Sequence, residues 1–78
     1  MVSMMNLLKE VRQLGLEPGM RIRIALTDGE TADGVYHSFT HAEETIEDIS
    51  CIDFQPDGLD DACVVFEDEI ETIEILQA

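Results

Sequence analysis

The first part of the chain repeats its hydrophobic residues at helical spacing. The members of this stripe are Met4, Leu7, Leu8, Val11 and Leu14. With polar side chains between them, the pattern predicts one amphipathic helix over about residues 4–14, with Ser3 as its N-cap. Gly15 favours the left-handed conformation that ends a helix, and Pro18-Gly19 favours a turn directly after it. Because so short a helix is not stable alone, we expect it to dock on one end of a sheet.

After this turn the hydrophobic period changes from helical to alternating. Residues 21–26 carry isoleucine or leucine at every second position, which predicts a half-buried strand. Asp28-Gly29 predicts a type I′ hairpin turn, whose two central positions both need positive φ, and residues 30–39 form the return strand. Gly34 lies inside that strand, where glycine is unfavourable unless the sheet bends sharply or another backbone approaches closely. It therefore suggests a strongly curved sheet of the kind that closes a small barrel, and an ordinary bulge is the alternative.

The second half of the chain predicts three more strands. Residues 40–45 are polar and indicate a loop, with a short helical turn over residues 43–48 as the alternative. The predicted strands are IEDISCIDF (46–54), ACVVF (62–66) and IETIEIL (70–76), separated by the turn formers QPDGLDD and EDE. The expected fold is mainly β. An N-terminal α-helix precedes a strongly bent five-stranded antiparallel small barrel over about residues 20–76, in one domain covering residues 1–78.

Charge is segregated along the sequence. The first 23 positions hold all four basic residues and two acidic ones, a net of +2, whereas the other 55 hold 16 acidic residues and no basic one. Phosphate binding needs clustered lysine and arginine, so the overall charge of −14 argues against a general nucleic-acid binder. For most of the carboxylates the expected role is to keep a small protein soluble. A chain of 78 residues has a small core, and we expect oligomerisation to add stability.

The cysteines and the N-terminal residues indicate where the protein resides. Cys51 and Cys63 have apolar neighbours, which predicts two buried thiols rather than a disulfide. The first residues lack a basic stretch followed by a long apolar run, and no segment approaches the roughly 20 apolar residues needed to cross a bilayer. We therefore expect a cytoplasmic protein without membrane contact.

The hairpin over residues 22–39 has the pattern I-x-I-x-L-x-D-G-x-x-x-x-G-x-Y-x-S-F. Together with the preceding helix and the final pair of short strands, it resembles the Sm-like (LSm) small barrels, which are of SH3 type. The resemblance covers nearly the whole chain, but its specific part is this hairpin. It implies that Gly29 turns the hairpin and that Gly34 lets the second strand bend. It also implies a ring in which the fourth strand of one subunit pairs with the fifth strand of the next.

The RNA-binding motifs of that family are altered in this sequence. After the aromatic residue of strand two, here Phe39, the family has an aspartate and, four places later, an asparagine; this chain has Thr40 and Glu44. His41 lies one place early for the base-stacking role. In the turn before the last strand an arginine-glycine pair is replaced by the acidic segment 67–69, which would form acidic rings if the turn lined a pore. Uridine recognition in the usual pore is therefore not expected.

Other site chemistry is weakly indicated. His37 and His41 lie close in the sequence to Asp33, Glu43 and Glu44, and such a group of side chains is one hypothesis for a metal site. The favoured interpretation is that both histidines are exposed and have no function. The acidic residues of the segment 57–61 lack the alternating pattern of an EF-hand loop. No catalytic triad, phosphate-binding glycine loop or nucleotide fingerprint is present, so we expect neither an enzyme nor a cofactor.

Two functions from different classes remain as hypotheses. The first is a ring-forming Sm-like protein with an accessory role in binding or processing RNA or single-stranded DNA. Its candidate nucleic-acid-binding residues are Lys9, Arg12, Arg21, Arg23, Phe39, Thr40 and His41. The second is an acidic oligomeric module that binds a basic protein and no nucleic acid. The first is preferred because a ring multiplies a weak basic face by its number of subunits.

Overall fold

A computed structural model describes residues 6–77. The elements in chain order are α1 (Leu7–Leu14), β1 (Arg21–Leu26), β2 (Thr31–Thr40), a 3-10 helix (Ala42–Glu44), β3 (Cys51–Pro56), β4 (Cys63–Phe66), a second 3-10 helix (Glu67–Glu69) and β5 (Ile70–Gln77). The predicted mainly β chain with one helix and five strands is confirmed. No helix in this part of the chain has the length and apolar character that a membrane-spanning segment requires.

All five strands belong to one antiparallel sheet. The strand order is β4-β3-β2-β1-β5, so β4 and β5 are the two outer strands. Over residues 6–77 no strand pairing joins these two edges, and the sheet is not closed into a barrel. The predicted antiparallel sheet is therefore confirmed, whereas the predicted barrel is not closed by hydrogen bonds between strands of the described chain.

The described helix begins at Leu7. Asn6 is its N-cap, and the Asn6 Oδ1 atom accepts a hydrogen bond of 3.1 Å from the backbone N–H of Lys9. This bond satisfies one of the free amide groups at the helix start. The predicted cap, Ser3, and the first predicted helical residue, Met4, lie outside the described residues.

Gly15 ends α1 as predicted. Its φ of 65° is in the left-handed region that glycine adopts without strain. The next residue, Leu16, folds back onto the helix, donates its N–H to the carbonyl of Val11 at 3.0 Å and buries its side chain. A turn over residues 17–20 then leads the chain into β1.

The β1–β2 hairpin has a three-residue loop instead of the predicted type I′ turn. Gly29 has a φ of 93°, but Asp28 does not have positive φ. The N–H of Leu26 donates to the carbonyl of Glu30 at 2.7 Å, and the N–H of Gly29 donates to the carbonyl of Leu26 at 3.0 Å. A loop with one glycine in the left-handed region is a common hairpin solution. It spares Asp28 the unfavourable conformation that a type I′ turn would impose.

Strand β2 is shared between two neighbours. Residues 31–35 pair with β1, and residues 34–40 pair with β3. Gly34 lies where the pairing changes over, and a Cβ atom at this position would overlap the backbone carbonyl of Gln55 and lie 2.8 Å from the ring of Phe54. Another backbone therefore approaches Gly34 closely, while the bend of β2 at this residue stays a prediction.

Strand β3 begins at Cys51, five residues later than predicted. Residues 46–50 form part of a loop in which the Thr45 Oγ1 atom accepts a hydrogen bond of 3.0 Å from the N–H of Ile49. Ile46 is fully exposed to solvent. Local side-chain hydrogen bonds of this kind compete with strand pairing, so these residues form a loop and not the predicted start of the strand.

The core lies between α1 and the inward face of the sheet. Its buried members are Leu7, Leu16, Ile22, Ile24, Tyr36, Ile52, Phe54, Ile70 and Ile73. Cys51 is buried, as predicted, and burial raises the pKa of its thiol. The prediction for Cys63 is wrong: this free thiol is exposed, because its strand, β4, is an outer strand of the sheet.

Candidate nucleic-acid interface

The two basic residues of α1 lie at the helix surface. Lys9 and Arg12 are exposed and three positions apart, a spacing that makes two side chains neighbours on a helix. Within residues 6–77, neither forms an ion pair of 4 Å or less. The helix therefore presents two adjacent cations to solvent.

The two arginines of β1 point outward, as predicted, but both are engaged by carboxylates. Arg21 donates two hydrogen bonds to Asp57, of 3.0 and 2.7 Å. Arg23 donates two to Asp33, of 2.7 and 3.0 Å, and its Nη1 atom lies 3.9 Å from Glu74. A bidentate carboxylate occupies the guanidinium in the same way as a phosphate would. A phosphate must therefore compete with both aspartates.

These ion pairs shift the pKa values of Asp33, Arg21 and Arg23. The hydrogen bonds from Arg23, helped by its positive charge, lower the pKa of the Asp33 carboxyl, although partial desolvation acts in the opposite direction. The hydrogen bonds that Asp57 and Asp33 accept from Arg21 and Arg23, respectively, raise the pKa values of these two arginines. All four side chains are between 32% and 50% exposed, so solvent screens the pairs and each contributes little to folding stability.

A shallow groove of about 450 Å³ adjoins these ion pairs and is open to solvent. Its lining residues are Arg23, Thr31, Ala32, Asp33, Pro56 and Asp57. Two carboxylates face one guanidinium in this lining, so the groove does not attract an anion. A cationic or neutral group fits its charge better than a phosphate does.

The aromatic candidates lie at the end of β2. Phe39 is half-buried and packs against the core, and Thr40 pairs with Cys51 on β3. His41 is exposed and meets the Phe39 ring edge to face, with 4.9 Å between ring centroids and an interplanar angle of 87°. An exposed imidazole held in this way is suited to stacking on an unpaired base.

The strand arginines and the aromatic pair do not form one contiguous site. Asp33, the partner of Arg23, is six residues from Phe39 along β2, which corresponds to about 20 Å of extended strand. Arg21 and Arg23 share the outward face of β1, whereas His41 lies just after the far end of β2. A ligand that uses both groups must span that length.

The sequence did not identify Asp33 and Asp57 as the partners of the arginines. In the observed register Arg23 lies opposite Asp33, whereas a two-residue turn at Asp28-Gly29 would place it opposite Gly34. A correct prediction of the length of the β1–β2 loop would therefore have placed Arg23 opposite Asp33. Asp57 is 36 positions from Arg21, and no local pattern connects them.

One of the three carboxylates in the turn before β5 contacts the first residue of α1, so the turn does not present three free carboxylates. The Glu67 Oε2 atom accepts a hydrogen bond of 2.8 Å from the backbone N–H of Leu7, the first residue of α1. A carboxylate at this end of a helix also interacts favourably with the helix dipole. Asp68 and Glu69 remain exposed.

The geometry does not support the hypothesis of a metal site at His37 and His41. His37 lies at an irregularity in the pairing of β2 with β3, and its side chain is exposed. In the described part of the chain no group of three or more histidine, cysteine, aspartate or glutamate side chains is arranged to hold a metal ion.

No protein-family model, curated protein or solved structure matches the chain.

Proposed function

We propose that this chain is an Sm-like subunit that assembles edge to edge into a closed homo-oligomeric ring and acts as an accessory in binding or processing RNA or single-stranded DNA. The observation that carries the assembly is the position of β4 and β5 at the two edges of one sheet. These are the strands that pair between subunits in the family that the hairpin pattern resembles.

The exposed apolar residues of the two outer strands support assembly. An unpaired outer strand exposes a row of backbone N–H and C=O groups, and an apolar outer strand is a template for pairing with another chain. Strand β4 has the sequence CVVF, with Val64 exposed, and β5 carries the exposed Leu76 near its end. Pairing β4 of one subunit with β5 of the next would cover both edges and close the ring.

Light scattering with a matched pair of variants tests the assembly. We expect a closed oligomer at micromolar concentration in high salt, and Val64→Glu should dissociate it by placing a charge in the edge contact. Leu59→Glu is the control, because Leu59 is equally exposed (55% against 51%) but lies in the turn between β3 and β4. A wild-type monomer at high salt, or equal behaviour of the two variants, would contradict the proposal.

For nucleic acid, the favoured surface is that of α1, whose exposed cations are Lys9 and Arg12. On the outward face of β1, Arg21 and Arg23 contribute only after exchange of their aspartate partners. We expect weak binding that falls steeply with salt, because each phosphate contact adds to the salt dependence. In a gel retardation assay Lys9→Gln with Arg12→Gln should weaken binding more than Arg21→Gln with Arg23→Gln. The reverse order would contradict this use of the surface.

A second candidate function is favoured by the ion pairs themselves. Because Arg21 and Arg23 are already neutralised by Asp57 and Asp33, the described surface offers few cations to a phosphate and many carboxylates to a basic protein. Such a module should bind a lysine-rich peptide, but not its glutamine-substituted counterpart, in fluorescence anisotropy at moderate salt. Retardation of RNA or single-stranded DNA, without binding to the lysine-rich peptide, would exclude this candidate.

A further inference from the structure

Both outer strands are flanked by carboxylates. Strand β4 has Asp61 two positions before it and Asp68 two positions after it, and Asp53 on β3 lies directly opposite Val64. On the other edge, Glu71 and Glu74 are exposed on β5, and Glu69 immediately precedes it. Pairing β4 with β5 of another copy therefore brings two acidic borders together.

Little positive charge offsets these borders. Within residues 6–77, Glu74 is the only one of these six carboxylates with a basic side chain inside 4 Å, namely Arg23 at 3.9 Å, and Arg23 is already bidentate to Asp33. Like charges facing each other across paired strands oppose pairing. The apolar contacts of the edges must therefore overcome a repulsion that solvent ions alone can screen.

The range of this repulsion is set by ionic strength. The Debye length is about 30 Å at 0.01 M salt and about 3 Å at 1 M. The described chain measures 32 × 26 × 23 Å, so at low salt the repulsion extends over a distance comparable to one subunit. At high salt the repulsion is restricted to the closest groups, while the apolar contact between edges is retained.

We infer that ionic strength controls the assembly of this protein, with the subunits separate in dilute salt and joined through β4 and β5 at high salt, and that the carboxylates beside the two edges set the transition. This inference rests on the proposed edge-to-edge assembly. The partner is a second copy of the chain, and the controlling ligand is the monovalent cation of the medium.

The experiment is light scattering at fixed protein concentration over a sodium chloride series from about 0.02 to 1 M, a range over which screening changes strongly. The wild type should pass from monomer to oligomer within the series. Glu69→Gln with Glu71→Gln should assemble at a salt concentration several-fold lower. The matched control is Glu43→Gln with Glu44→Gln, which removes the same charge from exposed positions in the loop between β2 and β3.

Each outcome has a distinct meaning. An oligomer of constant size throughout the series would overturn the inference and leave the proposed assembly standing. Equal shifts of the two double variants would overturn the assignment of the transition to the edges. A wild-type monomer at every salt concentration would overturn both the inference and the proposed assembly.

Discussion

Gly34 is the position where a single methyl group should be most damaging. A Cβ atom would meet the backbone carbonyl of Gln55, which cannot rotate away as a side chain can. We expect Gly34→Ala to lower the free energy of unfolding by about 2–3 kcal/mol, the upper part of the usual range for overpacking, because the overlap is with backbone. Denaturant titration measures this cost, and Thr31→Ala, exposed on the same strand, should cost less than about 1 kcal/mol. An unchanged midpoint for Gly34→Ala would refute the close approach.

The two cysteines should differ in reactivity. Burial excludes reagents from Cys51 and raises the pKa of its thiol, so less reactive thiolate is present near pH 8. Cys63 is exposed on β4. A thiol reagent applied to the native protein should therefore label Cys63 at least tenfold faster, and denaturant should remove the difference. Mass spectrometry of the labelled peptides measures both rates, and equal native rates would contradict the burial of Cys51.

The contact between α1 and the turn before β5 joins elements that are 60 residues apart in the sequence. We expect Glu67→Ala to lower the free energy of unfolding by about 1–2 kcal/mol, because the Leu7 N–H loses a charged acceptor at the helix start. Asp68→Ala removes the same charge from an exposed neighbour and is the control for general relief of repulsion. If both variants unfold at the same denaturant concentration, Glu67 does not hold the helix.

The elements that the sequence predicted well are those determined by neighbouring residues. Gly15 ended α1, and the alternation of residues 21–26 marked β1, because both signals are local. The predicted start of β3 was wrong because the Thr45 hydroxyl accepts a hydrogen bond from the backbone N–H of Ile49 and holds residues 46–50 in a loop. A hydrophobic pattern does not reveal such a competing hydrogen bond.

The candidate site was harder to predict than the fold, since it depends on register and long-range contacts. That Arg21 and Arg23 point outward could be predicted from strand periodicity. The ion pairs that neutralise them could not be predicted. The contact of Arg23 with Asp33 depends on the length of the hairpin loop, and the partner of Arg21, Asp57, lies in a distant turn. A basic face inferred from sequence alone therefore overstates the positive charge offered to a ligand.

Assembly and stability should be linked in this small chain. A domain of this size buries too little surface for a large margin of stability, and pairing of the β4 and β5 edges would add apolar burial only in the folded oligomer. The melting temperature should therefore rise by several degrees over a hundredfold increase in protein concentration at high salt, as mass action requires. Differential scanning fluorimetry over that range measures the rise. Val64→Glu should melt at a lower temperature that does not depend on concentration, whereas Leu59→Glu should retain the wild-type dependence. A wild-type melting temperature that does not change on dilution would mean that the folded chain gains no stability from association with other copies. The exposed apolar residues of β4 and β5 would then need another explanation.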